Sequence, residues 1–231
     1  MATLSLYART DIGLVRTNNE DTYLADPGGG LAIVADGMGG HAAGEVASKI
    51  TVETIAELLK APDSFWPFGR GLRERNRVVE AVRMANMKVR QAAKADAALT
   101  GMGTTVVVLW LRGRRAHVVH VGDSRIYRYR KGGLVQLTRD HSWPSEDGSM
   151  RNVLTRAIGA EDRVEIDHRM LEVASGDVFL LCSDGLTRPV GDEGIIRTLH
   201  DFKGEEASQR LIQLAKDNGA PDNVTVVLAY C

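Results

Sequence analysis

Aspartates at the ends of apolar runs, each beside glycine, serine or proline, are the residues of this chain best placed to do chemistry. Asp36 closes the apolar stretch Val34-Ala35 and opens Gly37-Met38-Gly39-Gly40-His41-Ala42-Ala43-Gly44-Glu45. Asp123 sits in Gly122-Asp123-Ser124-Arg125, Asp184 in Ser183-Asp184-Gly185, and Asp222 in Pro221-Asp222-Asn223. A carboxylate on a strand end is held by rigid backbone while neighbouring glycines let backbone carbonyls approach a cation, and hard ions such as Mg²⁺ and Mn²⁺ prefer oxygen ligands. One such aspartate is an ordinary turn residue. Four that converge would repel one another unless cations neutralise them, which points to a metal cluster. The glycine-rich stretch after Asp36 lacks the Gly-Lys-Ser/Thr ending of a phosphate-cradling loop, so nucleotide binding is a poor reading.

The elements that must carry these residues follow from the pattern. Aliphatic and aromatic runs of strand length recur at 4–7, 31–35, 104–111, 116–121, 126–130, 178–182 and 223–230. Residues 104–138 read as strands in direct succession, broken by charged and glycine turns, which predicts antiparallel rather than wound parallel sheet. Ala47, Ile50, Thr54 and Leu58 recur at helical spacing, as do Val78, Val82, Ala85, Val89 and Ala92, so two long helices precede the meander. Shorter helices are expected over 192–200 and 205–217, and residues 61–71 form a connector whose Phe65, Trp66 and Phe68 cap the core.

Composition bounds the rest. With 231 residues, 44% of them hydrophobic and only 5% aromatic, one domain over 1–231 with an aliphatic core is expected. Lys plus Arg at 29 against Asp plus Glu at 30 leaves a formal charge of -1, which gives no overall field for nucleic acid or an anionic membrane. The two cysteines, Cys182 and Cys231, have no C-x-x-C spacing and suggest a reducing compartment. Cys182 lies in an apolar run without a Cys-x5-Arg loop, so it reads as core rather than as a nucleophile. The greasiest run, 106–111, is far below the ~20 residues that span a bilayer, and a basic, apolar leader is not evident. A soluble, cytoplasmic monomer is the expectation.

Taken in order, six segments are specific: 16–21 (Arg-Thr-Asn-Asn-Glu-Asp), 36–48, Gly103-Thr104-Thr105, 121–125, 181–186 and Asp222-Asn223. This series resembles the bacterial branch of the PP2C-like (PPM) metal-dependent serine/threonine protein phosphatases. The resemblance implies an α+β fold, a four-layer α-β-β-α sandwich of two antiparallel sheets flanked by helices. It implies hydrolysis of phosphoserine and phosphothreonine monoesters in proteins by water activated at a binuclear Mg or Mn centre, opposing serine/threonine kinases, without a phospho-enzyme. Two cations ~3.5–4 Å apart suit this slow reaction, because together they activate water and stabilise the oxygens of an in-line displacement.

Position by position, the resemblance makes Asp36 the carboxylate bridging two metals, Gly37 a backbone-carbonyl ligand, and Asp184 and Asp222 the other core ligands. Asp123 resembles the ligand of a third, weaker ion; Glu20, Asp21 and Asn223 sit in the surrounding shell. Arg16 becomes the phosphate clamp, as suits a planar guanidinium. His41 resembles the candidate general acid for the leaving alkoxide, although holding a water of the metal site would equally explain it. One departure stands out: after Leu137-Thr138-Arg139-Asp140-His141-Ser142 the family inserts a helical flap, where this chain has only the short bridge 143–150. Two competing readings are a catalytically silent binding module, which would have lost a metal aspartate, and a phosphatase dedicated to one regulator.

Overall fold

A computed structural model describes residues 4–39, 43–62, 74–143 and 153–231. Eleven strands are found among them: β1 (Ser5–Asp11), β2 (Asp21–Asp26), β3 (Leu31–Met38), β4 (Gly103–Thr104), β5 (Val106–Arg112), β6 (Arg115–Val121), β7 (Arg125–Arg130), β8 (Gly133–Gln136), β9 (Asp167–Glu172), β10 (Val178–Cys182) and β11 (Val224–Tyr230). The helices are α1 (Ala43–Lys60), α2 (Glu74–Ala95), α3 (Asp184–Thr187), α4 (Asp192–Asp201) and α5 (Gly204–Asp217). One sheet runs β1-β11-β10-β7-β8, the other β2-β3-β5-β6-β9 with β4 added on β3, and every pairing among the described residues is antiparallel.

The layers can be read directly from the alternation of side chains. On β3, Leu31, Ile33 and Ala35 pack with Ala47, Ile55, Val82 and Val89 of α1 and α2, while Ala32 and Val34 turn the other way. On β10 and β11, Leu180, Cys182, Val226 and Leu228 meet α4 and α5 through Ile195, Leu211 and Ala215, while Phe179, Leu181, Val227 and Ala229 face the second sheet. The strands are therefore buried on both faces, which is why they appear in sequence as unbroken apolar runs rather than alternating ones. The arrangement is the expected α-β-β-α sandwich.

Two points differ from the sequence reading. The run 104–138 does not stay in one sheet: β5 and β6 belong to one and β7 and β8 to the other, the chain crossing between them at Gly122–Ser124. Gly122 makes the crossing possible, since its φ is +103° and a Cβ there would lie 2.6 Å from Thr105. β2, β9 and the one-turn α3 carry too few apolar residues to stand out by periodicity. Phe65, Trp66 and Phe68 lie outside the described residues. Cys182 is fully buried, and burial pushes its thiol up to about 12, which agrees with the core reading. No helix among the described residues is long and apolar enough to cross a membrane.

Candidate metal centre

Strand register brings the chemistry to one edge of the sandwich. Asp36 lies directly opposite Asp21 in the β2–β3 ladder, Val224 is opposite Asp11, and Cys182 is opposite both Val226 and Arg125. The ends of β3 and β10 and the starts of β2, β7 and β11 thus share an edge, and the two sheets are tied together there. Ser183 Oγ donates to Asp21 Oδ2 at 2.8 Å, and the Glu20 N–H donates to Asn223 Oδ1 at 2.8 Å. The result is a cavity of about 350 Å³ whose wall includes Asp36, Gly37, Asp123, Asp184, Asp222 and Arg16, with Glu20 at its side.

Each carboxylate is seated by its local chain. The Asp36 N–H donates to Thr105 Oγ1 at 3.1 Å, and its carbonyl accepts from the Thr105 N–H at 2.9 Å and from Thr104 Oγ1 at 2.8 Å. Thr105 Oγ1 in turn lies 2.7 Å from Ser124 Oγ, which couples the Asp36 strand to the Asp123 turn. Asn223 fixes the loop before β2 by donating from Nδ2 to the carbonyls of Ile12 (3.0 Å) and Asn18 (2.9 Å), and its own N–H donates to Asp222 Oδ1 at 2.9 Å. The Glu20 carbonyl accepts from Ser48 Oγ at 2.6 Å and from the Gly37 N–H at 3.2 Å, so the loop before β2 also anchors the start of α1.

So many carboxylates in one place carry an electrostatic cost. Burial first, then the charges of Asp21, Asp184, Asp222 and Asp123, pushes the Asp36 carboxyl well above the usual carboxylate range. Burial raises Asp21 to about 7 despite hydrogen bonds from Thr225 and Ser183, and burial together with the charge of Asp123 raises Asp184 to about 7. Oδ1 of Asp21 and Oδ1 of Asp184 are buried without a hydrogen-bond partner among the described residues. Unsatisfied buried oxygens amid like charge are what an oxygen-liganded divalent cation would neutralise, so the donor set fits Mg²⁺ or Mn²⁺.

Among the described residues, Arg16 and Arg188 line this cavity. Arg16, on the loop between β1 and β2, donates from Nη2 to Asp222 Oδ2 at 2.8 Å with about half of its side chain exposed. That bond is the main reason its pKa is raised. Arg188, which sequence reasoning does not single out, pairs with Asp184 one helical turn earlier. Thr105 and Ser183 likewise escape it as positioning groups, although each is a hydroxyl inside a motif segment. His41 lies outside the described residues.

A second cluster lies nearby. Ligand atoms of His120, His141 and Asp167 fall within 4.8 Å of one another. The Arg156 guanidinium already sits among them, 3.0 Å from Asp167 Oδ1 and 3.2 Å from His141 Nε2. A resident cation makes this a poor divalent site. His141 instead clips the turn ahead of Asp123: its N–H donates to the Gly122 carbonyl at 3.0 Å, and its Nδ1 lies 3.2 Å from the Gly122 amide nitrogen.

Gly185 offers a test of how tightly the edge is built, because a Cβ there would lie 1.9 Å from the Asn223 carbonyl oxygen. Gly185→Ala is expected to force α3 away from the Asp222–Asn223 turn, cost about 1–3 kcal/mol and lower Mn²⁺ affinity at least tenfold. Thermal melting and titration calorimetry check this, and unchanged values in both would contradict the packing described.

Comparison with known proteins places the chain. A sequence profile described as protein phosphatase 2C matches residues 15–224. The serine/threonine protein phosphatase PstP of Mycobacterium tuberculosis is 42% identical over 235 residues, covering 96% of this chain but 44% of the relative, so the chain spans less than half the length of that protein. A crystal structure of the same mycobacterial phosphatase superposes with a TM-score of 0.87 at 39% identity, covering 98% of each chain. The catalytic domain of PstP in complex with two manganese ions superposes at 0.83 with 40% identity, covering 98% of this chain and 97% of the other. The chain belongs to the protein phosphatase 2C family.

Proposed function

We propose that this chain hydrolyses phosphoserine and phosphothreonine monoesters of proteins at a binuclear Mg or Mn centre, and so opposes serine/threonine kinases. The observation that carries the reading is the convergence of Asp36, Asp123, Asp184 and Asp222 on one cavity, with Oδ1 of Asp184 and of Asp21 buried and unpartnered among the described residues. In this reading Asp36, the Gly37 carbonyl, Asp184 and Asp222 would hold two ions, and Asp123 lines the same cavity at the position that the resemblance gives to a third, weaker one. When bound, such ions activate water and stabilise the phosphoryl oxygens. Glu20, Asp21 and Asn223 hold the surrounding geometry, and His41 is the candidate proton donor to the leaving alkoxide. Family membership and the two-manganese complex of the mycobacterial catalytic domain support this assignment.

The same reading takes residues 1–231 as one catalytic domain, cytoplasmic and monomeric, with the flap shortened to 143–150. Residues 144–152 lie outside the described residues, but their flanks are pinned: Ser142 bridges Leu154, and the Trp143 N–H donates to the Val153 carbonyl at 3.2 Å. A short segment between paired ends supports an open metal edge that accepts small aryl phosphates and discriminates less among phosphoproteins. Colorimetric hydrolysis of an aryl phosphate, with Mn²⁺ and with chelator, tests the function: metal-dependent turnover is expected, and no turnover under any metal would refute it.

Arg16, a half-exposed guanidinium on this cavity, is able to take two phosphate oxygens at once. Arg16→Ala is expected to lower kcat/KM for a phosphothreonine peptide roughly 10- to 100-fold, mostly through KM, the equivalent of one charge-assisted contact. Mn²⁺ affinity should hold or tighten, since Asp222 loses a competing partner. Weakened Mn²⁺ binding with an unchanged KM would reverse the assignment.

A further inference from the structure

We propose that Arg188 is a resident cation of the metal edge: it occupies the charge position that a further divalent ion would take between Asp184 and Asp123, and so holds the centre at two ions. This inference rests on the metal-centre reading above. Arg188 follows the single turn of α3, where its N–H donates to the Asp184 carbonyl at 2.9 Å, and Pro189 comes next. The turn brings the guanidinium back over the carboxylate that opens it, as an i,i+4 ion pair between Nη2 and Asp184 Oδ2. Asp184 is therefore divided: one oxygen faces the guanidinium, and Oδ1 remains buried and unpartnered, available to a cation.

Asp123 reaches the same cavity from the crossing between the sheets. Arg188 lines that cavity together with Asp184 and Asp123, so one guanidinium shares its wall with both carboxylates. An arginine charge does not titrate away, and its side chain is 35% exposed, so it is part of the wall rather than of the core. A third divalent ion at Asp123 would sit against that fixed positive charge in a partly desolvated site and be repelled.

Mn²⁺ titration by calorimetry, with electron paramagnetic resonance counting free ions and no substrate present, tests this. Wild-type protein is expected to bind two ions. Arg188→Gln should gain a third, at least about tenfold tighter than any further binding by wild type; Arg188→Lys should remain at two. Adding Asp123→Asn to Arg188→Gln should remove the third ion. Two tight sites in wild type and Arg188→Gln alike, or a third site that survives Asp123→Asn, would overturn this proposal alone. A wild-type protein that binds no ion would overturn the metal-centre reading and this proposal with it.

Discussion

Asp36→Ala is expected to lower metal-dependent phosphate release by at least about 10³-fold, because losing the carboxylate proposed to hold both ions would remove several kcal/mol of transition-state stabilisation at about 1.4 kcal/mol per decade. The fold should survive. Asp36 lies near the end of β3, whose earlier residues, Leu31 to Ala35, supply the core contacts, and its own backbone bonds to Thr104 and Thr105 use main-chain atoms that alanine keeps. Without metal, the variant should melt no lower than wild type at pH 8, since it deletes a carboxylate that is costly to ionise. Steady-state assays at saturating Mn²⁺ and circular dichroism melts check both halves. Retained turnover would remove Asp36 from the centre, and an unfolded variant would make it a packing residue.

Metal-free protein is expected to lose stability as pH rises, and Mn²⁺ to restore it. Asp21, Asp36 and Asp184 all have carboxyls raised above their ordinary value of 3.8, two of them to about 7. The folded state therefore binds more protons than the unfolded state between these limits, so the contribution is fully present below about pH 4 and is lost as pH climbs through 7. A tenfold change in a group's proton affinity corresponds to about 1.4 kcal/mol, but the three groups share a site. A total near 3 kcal/mol, or on the order of 5–10 °C in melting temperature for a chain of this size, is expected between pH 5 and pH 8. A cation replaces the shared protons, so the Mn²⁺-induced rise in melting temperature should be small at pH 5 and largest at pH 8. Metal-free stability that is flat or increasing over this range would show that the carboxylates do not crowd one another as described.

Much of this is legible in the sequence for a physical reason. A strand buried on both faces must be apolar throughout, so the strand ends at Asp36, Asp184 and Asp222 appear as abrupt changes from aliphatic to polar residues. What escapes is whatever depends on the third dimension. β9, Asp-His-Arg-Met-Leu-Glu, is an edge strand with one exposed face and has no apolar run to announce it. The crossing at Gly122 looks like any hairpin turn until a second sheet is there to receive β7. The family resemblance makes Asp21 a residue of the surrounding shell, whereas its burial against Ser183 arises from a contact 162 residues away along the chain. Arg188 lies in Leu-Thr-Arg-Pro, a stretch with no motif, and matters only because one turn of α3 folds it back on Asp184.

The aspartate edge, rather than the His120–His141–Asp167 cluster, is proposed to hold the catalytic ions. Anomalous diffraction from crystals soaked in Mn²⁺ tests it most directly. Two peaks about 3.5–4 Å apart, bridged by Asp36 and flanked by Asp184 and Asp222, are the predicted result. Peaks at His120, His141 and Asp167 with none at Asp36 would contradict it.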